Sequence, residues 1–231
     1  MSIRDNIQAV NVRKSEAAKR GGVSPDQVLL VAVTKTYGVD EINQAIDAGI
    51  TDIGENKVQE ILDKYENVQP VKWHMIGHLQ TNKVKYIIDK VCMIHSVDSL
   101  RLAEEINRRS EEAGLMMDIL IQVNPAMEES KFGVASHETE DLIRSIRNTC
   151  PNVRIRGLMS IVPYDENPEN VRKYFAQVKM IYDHFKDSRD DQMDFSYLSM
   201  GMSHDFEVAI EEGANLIRVG TAIFGHRDYS S

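Results

Sequence analysis

The chain has 231 residues, 42% of them hydrophobic and 27% charged, a balance that excludes an intrinsically disordered chain and matches an ordinary globular one. At this length folding buries about 70–75% of the unfolded surface, so no disulfide or metal is needed as a staple. The formal charge of −9 disfavours nonspecific binding to nucleic acid or anionic membranes, whose phosphates repel it, yet leaves scope for one local basic pocket.

The first residues, Met1-Ser2-Ile3-Arg4-Asp5, lack the apolar run of a signal peptide, and no stretch approaches the roughly 20 apolar residues of a membrane span. A cytoplasmic protein is expected. The two cysteines, Cys92 and Cys150, form no C-x-x-C pair, so zinc and iron–sulfur readings lack support and no disulfide is expected.

In chain order, residues up to about 19 carry Ile3, Ile7, Val10 and Val12 among charges and read as an extra N-terminal helix. After Gly21-Gly22, residues 27–34 form a continuous apolar run, rich in β-branched side chains and too short for a helix. Such runs suit strands buried on both faces. Asp40 can cap a helix whose Ile42, Ala45 and Ile46 share one face, and Gly49 can end it in the left-handed conformation. Strands follow at 50–54, 71–77, 91–96, 118–124, 154–161, 195–200 and 216–220. Helices near 58–65, 82–89, 138–148, 168–186 and 205–212, and one from Asp98 to Gly114, separate them. Eight strands alternating with helices demand a parallel sheet, and about 200 residues for the eight units predict a single closed (β/α)8 TIM-type barrel over residues 1–231. Chemistry in such barrels sits at the C-terminal ends of the strands, commonly with a phosphate after strands seven and eight.

Lys35 ends the first strand. A lysine dehydrated at a barrel mouth has an amine free for Schiff-base formation; from position alone a solvated loop lysine is the reading to expect. Ser199-Met200-Gly201-Met202-Ser203 ends the seventh strand and Arg218-Val219-Gly220-Thr221 the eighth. Small residues and hydroxyls there let backbone amides approach an anion. Together the two loops point to a phosphorylated ligand. His74 and His78 have a helical metal spacing but lie on a strand running into a loop, so core packing for His74 and a loop hydrogen bond for His78 are expected. Glu128 and Glu129 read as a solvated pair in the loop after the fifth strand.

A chain-long set of motifs resembles the YggS/PROSC-type pyridoxal phosphate homeostasis proteins. It comprises Ala32-Val33-Thr34-Lys35, Gly54-Glu55-Asn56, the long run from Trp73-His74-Met75-Ile76-Gly77-His78 to Lys83, Lys131-Phe132-Gly133, Arg156-Gly157-Leu158-Met159-Ser160, and the two loops above. The resemblance implies the barrel domain of alanine racemase without its partner domain, and pyridoxal 5′-phosphate (PLP) bound as a Schiff base on Lys35. It implies phosphate contacts from Ser199, Gly201, Met202, Gly220 and Thr221, Arg218 facing the pyridine nitrogen, and Asn56 beside the ring.

An arginine only donates hydrogen bonds. Opposite the ring nitrogen it would keep that nitrogen unprotonated and weaken the ring as an electron sink. Racemisation also needs acid and base groups on both faces of the substrate carbon, and Lys35 serves one. A PLP carrier acting in homeostasis and delivery, handing PLP to apoenzymes as a monomer or weak homodimer, is therefore expected. Two alternatives are a racemase using Tyr37 or Tyr164 and a Schiff-base aldolase acting on a sugar phosphate.

Overall fold

A computed structural model describes residues 2–128 and 131–225. Among the described residues nine strands occur in chain order: β1 (Leu29–Val33), β2 (Asp52–Glu55), β3 (Lys72–Met75), β4 (Met93–Val97), β5 (Met117–Val123), β6 (Val153–Ser160), β7 (Arg189–Asp190), β8 (Met193–Ser199) and β9 (Leu216–Val219). All but β7 pair in parallel, in the order β6-β5-β4-β3-β2-β1-β9-β8, and β6 pairs with β8 to close the ring. The expected eight-stranded barrel is present. β7 pairs antiparallel with the start of β8; both its residues are exposed and polar, so no hydrophobic alternation marked it.

The helices are α1 (Ile3–Arg20), α2 (Val39–Asp47), α3 (Val58–Lys64), α4 (Leu100–Ala113), α5 (Thr139–Thr149), α6 (Arg172–Phe185), α7 (Phe206–Glu211) and α8 (Thr221–Phe224). α1 opens with a reciprocal cap: the Ser2 hydroxyl accepts from the Asp5 amide at 3.2 Å and the Asp5 carboxylate accepts from the Ser2 amide at 3.0 Å. Its buried Ile7, Val10, Ala17 and Ala18 face α2, α7 and α8. Arg13 and Arg20 each bond a glutamate of α7, at 2.6 Å. The extra helix is thus part of the barrel's outer layer.

Two local expectations differ from the structure. α2 begins at Val39 with Gly38 as its N-cap, so Asp40 lies in the first turn and caps nothing, although its charge suits the helix N-terminus. The segment expected as a helix over 82–89 is a 3-10 helix, Thr81–Tyr86. Val84, Ile87 and Ile88 all turn inward within five residues, which the tighter turn allows in a short β3–β4 connection.

Closure rests on one glycine. Gly157, on β6, has φ +142°, and a Cβ built there would lie 1.8 Å from the Tyr197 carbonyl oxygen of β8. The pairing register of β6 shifts on both sides at this point, as a bulge would make it do. Gly157→Ala should therefore cost more than about 3 kcal/mol through overpacking and backbone strain, read as a lowered urea midpoint; an unchanged midpoint would contradict this account of closure.

Candidate functional site: a lysine facing two glycine-containing loops

β1 carries Val31, Ala32 and Val33 into the core and delivers Lys35 to the C-terminal mouth. Lys35 is exposed there, so the dehydration expected of it is not seen. Its two neighbours are held tightly. Buried Thr34 donates its hydroxyl to Glu55 Oε1 at 2.8 Å. Thr36, in the left-handed region at φ 65°, donates its amide to Glu60 Oε2 at 2.5 Å. Lys64 joins the two carboxylates, donating to each at 2.8 Å and to the Thr34 carbonyl at 3.1 Å. A buried charged clamp from β2 and α3 thus grips the backbone on both sides of Lys35. Burial lifts the Glu55 carboxyl above its ordinary value, and Lys64 only partly opposes this. Among the described residues Glu55 Oε2 has no partner.

The facing wall is made by the ends of β8 and β9. Gly201 has φ +88°, and a Cβ there would come within 2.7 Å of Phe206 Cα, so only glycine lets α7 pack this close to the loop. The Ser203 hydroxyl accepts from the Gly220 and Ala222 amides, both at 3.2 Å, tying the two loops together. Among the described residues the Ser203, His204 and Thr221 amides have no hydrogen-bond acceptor. Lys35, Met202, Ser203, Arg218, Gly220 and Thr221 line one cavity of about 390 Å³, with Tyr37 and His204 at its sides.

Of the residues singled out from sequence, the structure brings Lys35, Met202, Arg218, Gly220 and Thr221 to this cavity. It does not bring Ser199, Gly201 or Asn56 to its lining. The Ser199 hydroxyl is buried beneath Arg218, 2.5 Å from Nη1. Gly201 acts from behind, its carbonyl accepting from the Arg218 amide at 3.1 Å. Asn56 packs under Gly77, where a Cβ would fall 2.3 Å from the Asn56 carbonyl oxygen. The Met202 amide is committed to Asp205 Oδ1 at 2.7 Å.

Tyr37 donates its hydroxyl to the Gly225 carbonyl at 2.9 Å and stacks on Phe224. Tyr164 is 78% exposed and leans on His204 outside the cavity. His74 is buried but hydrogen-bonded to His95 and Asp52, a polar contact where plain packing was expected. His78 stacks on Phe132, with Asp98 Oδ2 3.9 Å away. Glu128 pairs with Lys131 at 2.6 Å; Glu129 lies outside the described residues. No group of His, Cys, Asp or Glu among the described residues could hold a metal, and no helix among them is long and apolar enough to cross a membrane.

Sequence reasoning missed Ser203, which it quoted without a role, and the Glu55–Glu60–Lys64 clamp. Glu60 and Lys64 have the i,i+4 spacing of a helical ion pair, but nothing in the sequence said that the pair points inward.

Fold and site together define a lysine-bearing parallel barrel of the alanine racemase type. The family described as "Alanine racemase, N-terminal domain" matches residues 8–228. An alanine racemase of Clostridium difficile superposes with a TM-score of 0.74 at 13% identity, covering 99% of this chain and 58% of that one. PipY of Synechococcus elongatus, solved with PLP bound, superposes with a TM-score of 0.82 at 31% identity, covering 97% of this chain and all of that one. The pyridoxal phosphate homeostasis protein of Aquifex aeolicus is 42% identical over 231 residues, 99% of this chain and 100% of that protein. The chain belongs to the pyridoxal phosphate homeostasis family, built on the alanine racemase N-terminal domain.

The clamp makes a specific demand. Lys64→Met should cost about 3–5 kcal/mol near neutral pH, because it strands a buried carboxylate. With its pKa raised in the fold, Glu55 binds its proton more tightly folded than unfolded. The stability it contributes is therefore present at low pH and is lost as pH rises through that raised value. Denaturant titrations should show the variant's deficit shrinking as pH falls toward the ordinary carboxyl value of 4.5; a deficit independent of pH would remove Glu55 from the account.

Proposed function

We propose that the chain binds PLP as a Schiff base on Lys35 and serves PLP homeostasis, holding the cofactor and releasing it to PLP-dependent apoenzymes in the cytoplasm. The observation that carries this reading is the single cavity joining the Lys35 amine to the loops of Ser203–His204 and Gly220–Thr221. Its volume suits a small phosphorylated aromatic. The residues present fit such a group: an amine on one wall, amides without acceptors on the other, and a buried cation beneath.

PLP would supply the aldehyde, and the chain the means of holding it. Lys35 contributes the nucleophile, set in place by Thr34 and Thr36. The Ser203, His204 and Thr221 amides offer donors to an anionic tail. Arg218 donates to Ser199 and to the Ser160 carbonyl, the latter at 2.8 Å. Burial pushes its guanidinium down to about 10, still cationic at neutral pH, with Asp205 opposing the shift. Facing a ring nitrogen, it acts only as a donor. Tyr37 reaches the cavity, but its hydroxyl proton is directed to the Gly225 carbonyl, which does not favour Tyr37 as the second acid–base group of the racemase reading.

The protein should show a visible absorbance band when purified or given PLP, and borohydride should fix the cofactor to Lys35 in a peptide identified by mass spectrometry. Lys35→Ala should lose both the band and the label. Label on another lysine would refute the site, and a protein colourless even with added PLP would refute the function.

A further inference from the structure

Beneath the cavity, polar side chains replace apolar ones through the barrel interior. Arg218 Nη1 lies 2.5 Å from Ser199 Oγ. Ser199 Oγ lies 3.3 Å from His95 Nδ1, His95 Nε2 2.9 Å from His74 Nδ1, and His74 Nε2 2.9 Å from Asp52 Oδ1. All five residues are buried. Asp52 opens β2 at the far end of the barrel, whereas Ser199 closes β8 at the mouth.

We infer that Asp52, His74, His95 and Ser199 form a one-way hydrogen-bond chain that fixes the Ser199 hydroxyl as an acceptor under Arg218, making His95 and His74 positioning residues for the guanidinium that faces the cavity. The direction follows from the two ends. A guanidinium can only donate and an ionised carboxylate can only accept. Ser199 therefore accepts from Arg218 and passes its own proton to His95 Nδ1. His95 must then carry its proton on Nε2 and donate to His74 Nδ1. That leaves His74 protonated on Nε2, donating to Asp52. Every proton has an acceptor, every dipole points the same way, and both imidazoles are neutral.

The reverse order, with a cationic His74 donating toward His95, would make His95 donate to Ser199. The serine proton would then have no acceptor among the described groups, and buried polar groups avoid that state. Burial, with the neighbouring Arg218 charge adding, holds His95 well below the ordinary histidine range. Burial works against ionised Asp52, but hydrogen bonds from His74 and Thr51 outweigh it and keep the carboxyl below its usual value. Cys92 Sγ also lies 3.4 Å from His74 Nε2. That nitrogen already donates to Asp52, and burial pushes the Cys92 thiol up to about 12, so the pair makes no nucleophile.

This inference deepens the proposed function and rests on it only for what Arg218 faces; the chain can be tested without cofactor. Long-range 1H–15N correlation spectra of the 15N-labelled full chain between pH 6 and 8, assigned with His74→Gln and His95→Gln, should show both rings neutral with the proton on Nε2. A His95 protonated on Nδ1, or a cationic His74, would overturn it. With PLP, His95→Leu should weaken binding about tenfold and shift the visible absorption, the scale of one lost buried bond to a charged network. His95→Gln keeps an oxygen to accept from Ser199 and an amide to donate to His74, so it should bind nearly as wild type does. Equal losses in the two variants, or none in either, would reduce His95 to packing and sink the proposal. A wild-type protein that took up no PLP would overturn the functional reading, not the chain, which the tautomers decide.

Discussion

A guanidinium enclosed in a barrel sets terms for everything around it. Stripped of water and left without acceptors, a buried cation costs several kcal/mol, so Arg218 needs oxygen atoms where a parallel barrel ordinarily places aliphatic layers. The ends of β6 and β8 supply them as the Ser160 carbonyl and the Ser199 hydroxyl. A hydroxyl that accepts must dispose of its own proton, and a histidine behind it does so. The polar interior is thus the physical consequence of one charge placed at the end of β9. The close fit of Gly157 against Tyr197 keeps β6 and β8 near enough for both acceptors to reach it.

The two walls of the cavity are built differently. On the β8–β9 side the loops are stitched to each other, Ser203 to Gly220 and Ala222, and Gly201 is pinned against α7. That wall is a fixed set of backbone donors. On the β1 side the rigid parts are the neighbours of Lys35, held by Glu55, Lys64 and Glu60, while Lys35 itself is exposed. Backbone is fixed and side chain left accessible.

The outer architecture was legible because it is written in local patterns. The continuous apolar run at β1 and the charged amphipathic spacers report parallel strands and covering helices directly, and the end of each strand then locates the mouth. Lys35, Gly220 and Thr221 followed from that geometry. Ser199 did not, because side chains of successive strand residues point to opposite faces. A motif fixes the loop but not which of its hydroxyls faces the ligand and which faces the core. Ser203, four residues on, lines the cavity, whereas Ser199 is buried beneath it. The clamp and the histidine chain were hidden for another reason: their members come from β2, β3, β4, β8 and α3, and only closure brings them together. The one local sign was polar His95 and Ser96 inside an otherwise apolar strand.

An exposed amine beside a preformed set of donors also bears on what kind of binding the site favours. Where the donors are already oriented, little ordering cost is charged against an anion that docks there, so affinity can reside in the phosphate end and in the reversible imine. An enclosed lysine, by contrast, would have to open before exchange. With Lys35 exposed and its anchoring clamp behind it, the proposed bond formation and release would not require the barrel wall to move. That suits retention and hand-over better than a closed reaction chamber, in which water is excluded and charges are arranged around a transition state. On the proposed reading the difference between carrier and catalyst is one of access: the rigid polar chain lies buried beneath the cavity, and the lysine at its mouth is exposed.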